Sequence, residues 1–315
     1  MTTQTQRQWS AFHIFMHDAN KQDPFIQEWL IVKAKAIVAQ KEAESWFFLR
    51  YWEGGPHLRI RFLNLKNEAQ VLAQIQEGVK PYLADVALSA EEYYAGHHFD
   101  GEPVDVANLD WHNDGEVVMY PYEPEYERYG GTNAIIVNEE LFYASSQIAA
   151  AVINATAGKF EQRLQLSLKF MACSIFAIAP HHDALKMFAT HYAEFWRGHA
   201  QGVDASSPPE ASTQLKQSLD VFMQESINGT ATGAIAMWIA LLKQSVERFR
   251  KVFMEGELIS PADGAKVETQ EQFQMSLMSM MGSQIHMLNN RLGVSTAYEF
   301  VLSSRIRDAL TVSGE

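Results

Sequence analysis

The sequence has a single cysteine, Cys173, in 315 residues, so no disulfide can form within the chain. It sits in the apolar stretch "LKFMACSIFAIA" and reads as a buried structural thiol, not a nucleophile. Long hydrophobic runs are also missing. None reaches the ~18 residues that a membrane-spanning helix needs, so no membrane span is expected. The N-terminus "MTTQTQRQWSAFHIF" lacks the basic segment, apolar stretch and small-residue cleavage site of a secretory signal, which makes the cytoplasm the expected location. Cations are in deficit: 25 Lys and Arg stand against 38 Asp and Glu, a net charge of −13. Gripping a phosphate backbone calls for a basic surface, so nucleic acid is not expected as a direct partner. The chain has no Walker loop, no GxGxxG and no GxSxG elbow. Its histidines, including His97, His98, His112, His181 and His182, lack zinc-ligand spacing. Neither a metal nor a cofactor is expected.

What is present is apolar residues enough for a sizeable core, 47% of the chain, with 20% charged. The pattern implies an α+β fold. "WSAFHIFM" reads as a strand, and "DPFIQEWLIVKAKAIVAQ" as a helix with Asp23 as N-cap and Pro24 in its first turn. "SWFFLRYW" and "HLRIRFLNL" read as strands joined by the hairpin signal "EGGP". A helix from about Asn67 to Tyr82 and a strand in "EVVMYPY" complete a β-α-β-β-α-β order, that of a ferredoxin-like unit with an antiparallel sheet. Residues 89 to 115, acidic and aromatic, form too long a connection to be ordinary and are expected to serve as a lid or docking loop. From Asn138 the periodicity is helical, with segments near 138–154, 159–178, 181–197, 211–226, 233–254, 268–291 and 296–311. The expected organisation is an α/β unit over 1–135 and a helical region over 136–315 packed against its sheet, the two forming one functional unit.

Three stretches carry chemistry. In "RYWEGGPHLRIRFLNL", residues 50–65, His57, Arg59 and Arg61 occupy alternate positions of one strand and so stand ~6.5 to 7 Å apart on one face. Trp46, Phe48, Arg50 and Trp52 are expected beside them. Phe47, Leu49, Tyr51, Leu58, Ile60 and Phe62 are expected on the opposite face, under the helices. Such a row can hold a carboxylate in a partly desolvated cleft, or merely pair with surface acids. In "YPYEPEYERYGG", Arg128 lies among acids and tyrosines before a Gly130-Gly131 turn, where it could equally bond Glu125 or Glu127. In "SLMSMMGSQIHMLNNRLGVS", Met281, Ile285, Leu288 and Leu292 make an apolar stripe, beside a polar stripe of Ser279, Ser283, His286 and Asn290. A histidine in that position is either a satisfied structural residue or part of the wall of a site.

Together "FFLRYWEGGPHLRIRF", "YEPEYERYGG" and "HMLNNRLG" resemble the three signatures of the C-terminal elimination domain of class I lanthipeptide dehydratases, a family that also occurs as separate proteins in thiopeptide-type peptide biosynthesis. The resemblance runs from about residue 9 to 311. It implies removal of glutamate from glutamylated Ser or Thr of a precursor peptide, leaving dehydroalanine or dehydrobutyrine. It implies catalytic roles for Arg59 and Arg61 of the HxRxR strand, Arg128 of the ERYGG turn and His286 of the HMxxNRLG helix. His57, Arg50, Tyr129, Asn290 and Arg291, in or beside the same motifs, are the expected substrate-binding residues. The expected partners are the modified precursor peptide and a separate glutamyl-tRNA-dependent glutamylating protein, and a homodimer is allowed. Two other readings are open: a pyridine synthase that joins two dehydroalanines, and a non-catalytic peptide-binding subunit. Retention of both strand arginines and the histidine favours elimination, because a substrate already free of glutamate needs fewer carboxylate-binding groups.

Overall fold

The computed structural model describes residues 7–86, 88–95, 98–99, 102–103, 110–200 and 202–311, with backbone alone at 98–99 and 102–103. Two compact units divide between Glu123 and Pro124.

The first unit opens with β1 (Trp9–Phe15) and α1 (Ala19–Phe25). The N-cap of α1 is Asp18, whose carboxylate accepts the Asn20 N–H at 2.9 Å. The expected cap, Asp23, and Pro24 both lie inside the helix. Proline has no N–H to give to the preceding turn, and directly after it the chain widens into a π turn, Ile26–Leu30, before α2 (Ile31–Ala39). Strands β2 (Ser45–Tyr51) and β3 (His57–Leu63) follow, joined by a turn in which Gly54 and Gly55 have φ of +80° and +112°, the region glycine enters without strain. Next come α3 (Glu68–Val79), capped by the Asn67 side chain, and α4 (Ala90–Tyr94). A two-residue antiparallel pair, β4 (His98–Phe99) and β5 (Glu102–Pro103), precedes the last strand, β6 (Val117–Pro121).

The main sheet runs β2-β3-β1-β6 with every neighbouring pair antiparallel. The register corrects the expected division of its faces. Leu49 pairs with Arg59, Phe47 with Arg61 and Tyr51 with His57. Directly opposed residues share a face, so Phe47, Leu49 and Tyr51 stand beside the arginine row, while Trp46, Phe48 and Arg50 join Leu58, Ile60 and Phe62 on the other side. The difference is one of phase: β3 alternates charged and apolar residues, whereas β2 is apolar at nearly every position, and only the hairpin register decides which set of β2 lies beside the arginines. The second set is the core of the unit. Trp46, Phe48, Phe12, Ile14, Leu58, Ile60 and Phe62 are all buried there, with Val71, Ile75 and Val79 of α3 buried as well. Each large side chain contributes about 1.5–3 kcal/mol by leaving water.

The second unit is helical in its regular structure: α5 (Ala134–Ala155), α6 (Phe160–Ile178), α7 (His182–Trp196), α8 (Pro209–Asn228), α9 (Gly233–Met254), α10 (Gln270–Leu292) and α11 (Thr296–Ala309). Helix α5 begins at Ala134, ahead of the expected start at Asn138, which is buried inside the helix with its side-chain amide donating to the Tyr129 and Ala134 carbonyls at 3.0 Å each. His181 caps α7, its Nδ1 accepting the Ala184 N–H. Cys173 is fully buried in α6, and burial pushes its thiol up to about 12, far from the thiolate a nucleophile needs. Among the described residues no helix is long and apolar enough to cross a membrane, and no group of His, Cys, Asp and Glu could hold a metal ion. His97 lies outside the described residues.

Candidate functional site

In the first unit, the HxRxR strand lays its cations on an aromatic and imidazole platform. The Arg59 Cζ lies 3.5 Å from the centroid of the Tyr51 ring, and that of Arg61 lies 4.5 Å from Tyr122 and 5.2 Å from Phe47. Stacking on π faces holds a guanidinium in place while leaving its edge for hydrogen bonds. Arg59 also donates from Nε to His57 Nε2 at 2.9 Å. That nitrogen must therefore be the acceptor, and Nδ1 carries the proton given to the Gly55 carbonyl at 2.8 Å. His13 stacks on His57 at 5.0 Å. Burial, aided by the neighbouring Arg59, lowers His13 to about 2; burial outweighs the Gly55 hydrogen bond and lowers His57 to about 3. Both rings are neutral near pH 7, so the positive charge of the row resides on its arginines.

Arg50 does not belong to this row. It lies on the opposite face, donating to Gln22 at 3.1 Å and to Asp23 at 2.5 Å, where it ties the sheet to α1. The turn preceding His57 is braced by the long connection: the Tyr94 hydroxyl accepts the Gly54 N–H at 2.8 Å, and the His112 N–H reaches the Gly54 carbonyl at 3.0 Å.

In the second unit a cleft of about 1600 Å³ is lined by Arg128, Ser279, Ser283 and His286, with Tyr192 and Trp196 on its wall. The ERYGG turn that carries Arg128 closes through the Gly131 N–H to the Tyr126 carbonyl at 2.7 Å, and the Gly130 carbonyl accepts the Ile259 N–H at 3.0 Å. A buried relay ties the turn to the histidine helix: Asn138 of α5 bonds the Tyr129 carbonyl, and Gln284 of α10 donates to the Asn138 Oδ1 at 2.8 Å. Arg128 donates from Nε to Ser283 at 3.1 Å and from Nη1 to Glu125 at 3.2 Å. Ser283 and His286 lie one helical turn apart on the same side of α10, so the cation and the imidazole share one stretch of wall. The His286 Nδ1 meets the Glu299 Oε1 of α11 at 2.8 Å, and the other oxygen of Glu299 is bonded to the Tyr192 hydroxyl. Trp196 lies against the imidazole, ring centres 4.8 Å apart.

The remaining candidates are placed elsewhere. Tyr129 is buried edge-on to Phe142. Arg291 is buried, bonded through Nε to Ser146 of α5 at 3.0 Å and set over the Phe142 ring. Neither they nor Asn290 line the cleft. Residues not foreseen are Glu299, Tyr192 and Trp196. An acid in the first turn of a helix reads from sequence as a favourable charge at the helix N-terminus, and nothing in "STAYEF" signals that it points inward. As an array of chemistry, the cleft offers an imidazole anchored on a carboxylate beside a cation, and the strand offers two more cations on an aromatic platform. Both suit reactions in which a proton moves and negative charge develops.

Solved structures of three proteins share the fold. TsrL aligns with a TM-score of 0.65 over 96% of this chain and 94% of its own, at 16% identity. The pyridine synthase TbtD from thiomuracin biosynthesis gives a TM-score of 0.68 over 96% and 97%, also at 16% identity. The tRNA-dependent lantibiotic dehydratase MibB from Microbispora sp. 107891 gives 0.57 over 96% of this chain and 28% of its own, at 18% identity. No curated protein matches the sequence significantly. The family profile described as "Lantibiotic biosynthesis dehydratase C-term" matches residues 9–310, and the chain belongs to that family.

Proposed function

We propose that this protein is a carbon–oxygen lyase that eliminates glutamate from glutamylated Ser or Thr of a ribosomally made precursor peptide, giving dehydroalanine or dehydrobutyrine. The observation that carries this reading is the pairing of Arg128 with a carboxylate-anchored His286 on one cleft wall. β-Elimination removes a weakly acidic α-proton, spreads charge onto the adjoining carbonyl, and expels a carboxylate. The leaving group departs without full protonation, so preorganised positive charge does much of the work. His286 transfers the proton. Arg59, Arg61 and Arg128 bind the glutamyl group and the developing charge, and His57 serves by fixing the Arg59 side chain. The two units act as one functional unit, and the glutamyl ester is supplied by a separate protein.

Joining two dehydroalanines into a pyridine handles substrates that carry no glutamate, so it makes less use of three cations. A peptide-binding subunit makes no use of an anchored imidazole. The test takes one variant from each unit, Arg61→Ala and His286→Ala, and presents a preformed glutamyl peptide. Both are expected to slow loss of glutamate by ~10²-fold or more, with peptide affinity retained for His286→Ala. Wild-type rates in either variant sink the assignment of that residue. An unchanged rate in both sinks the reading.

A further inference from the structure

Resting on the elimination reading, we propose that Glu299 is a positioning residue for His286: an ionised carboxylate that holds the imidazole as its Nδ1–H tautomer and leaves Nε2 as the base that takes the substrate α-proton. The balance is complete without a co-reactant. The Cα–H electron pair becomes the Cα=Cβ bond, the Cβ–O bond breaks, glutamate leaves as its carboxylate, and the proton rests on Nε2 until it passes to water.

Glu299 has no exposure to solvent, although it stands in the first turn of α11. Its two carboxyl oxygens meet groups from two other helices, the His286 Nδ1 of α10 at 2.8 Å and the Tyr192 hydroxyl of α7. Burial first, and then the neighbouring Glu299, pushes that hydroxyl well above its ordinary range, so it stays protonated and donates. A carboxylate accepting at both oxygens is a satisfied buried anion. His286 stands at the boundary, its side chain 17% exposed and lining the cleft, with Trp196 against its ring restricting rotation.

The alternative role, a neutral imidazole donating from Nε2, fails on the same geometry. It leaves the Nδ1 lone pair facing a carboxylate oxygen at hydrogen-bond distance with no proton between them. A base has the opposite need: the imidazolium formed in the step is neutralised by a charge already in place, which costs no reorganisation.

Two measurements test this. In the free protein labelled with ¹⁵N-histidine, NMR is expected to show His286, assigned by the signals lost in His286→Gln, with a protonated Nδ1 and a bare Nε2. A protonated Nε2 with a bare Nδ1 overturns the assignment, whatever the reaction. With a preformed glutamyl peptide, the isosteric Glu299→Gln is expected to lower kcat by ~10²-fold with KM unchanged. Tyr192→Phe, which leaves the charge in place, is expected to lower kcat by less. A Glu299→Gln enzyme within twofold of wild type, or one whose loss lies in KM, overturns the positioning role. Wild-type protein with no turnover at all removes the elimination reading and the base role with it, while the NMR result still decides the tautomer.

Discussion

At the scale of single residues, the first unit keeps two histidines neutral, through burial and the charge of the neighbouring Arg59, so its positive charge stays on two arginines. His57 gives one nitrogen to Arg59 and the other to its own turn, and His13 covers its face. The linkage has a definite sign. In the unfolded chain each imidazole takes a proton below about pH 6.5, whereas in the fold each resists protonation down to about 2 for His13 and about 3 for His57. The unfolded state therefore binds more protons over that window, and stability falls as pH drops from 6.5 towards 3. The slope reaches at most about 1.4 kcal/mol per pH unit for each histidine. Thermal melts from pH 7 to 4 are expected to show a shallower decline for a His13→Gln, His57→Gln double variant than for wild type. Equal slopes contradict the neutral platform. His13 was not legible as part of this set, because its partners come from a strand more than forty residues away and only the β1–β3 register brings them together.

At the scale of elements, what was legible followed local signals. The helices of the second unit lie close to where the 3.6-residue periodicity puts them, and the predicted apolar stripe of α10, Met281, Ile285, Leu288 and Leu292, is buried throughout. What was not legible was the phase between elements. A strand that is apolar on both sides, as β2 is, does not announce which of its faces lies beside the arginines of β3, and Arg50 falls on the face away from that row. Arg291 makes a related point: a cation inside a motif reads as functional, and here it is buried as a tie between α10 and α5. The ERYGG turn shows how an element aims a side chain. Gly130 has φ of +85°, and an added Cβ would come within 3.0 Å of Met280, Ala134 and Leu258, in a turn bonded into the same unit as α10. Gly130→Ala is expected to destabilise by about 1 kcal/mol or more through backbone strain alone, with further loss from the contacts. Calorimetry is expected to show a lower Tm together with slower elimination. A Tm equal to wild type contradicts the role given to this turn.

At the scale of the whole molecule, charge and family membership are what support the proposed division of labour. A chain of net charge −13 confines its cations to local arrays, which suits a carboxylate-bearing peptide better than a transfer RNA. The proposed role is accordingly to act after glutamylation and not to perform it. The most direct test gives the purified protein two substrates and reads both by mass spectrometry: an unmodified precursor with glutamate, transfer RNA and its synthetase, and a chemically glutamylated precursor alone. The first is expected to stay unchanged and the second to lose one glutamic acid per modified residue, leaving dehydroamino acids. Glutamyl adducts on the first substrate, or a second substrate that stays intact beside a bis-dehydroalanine peptide that the protein cyclises, would overturn the elimination role.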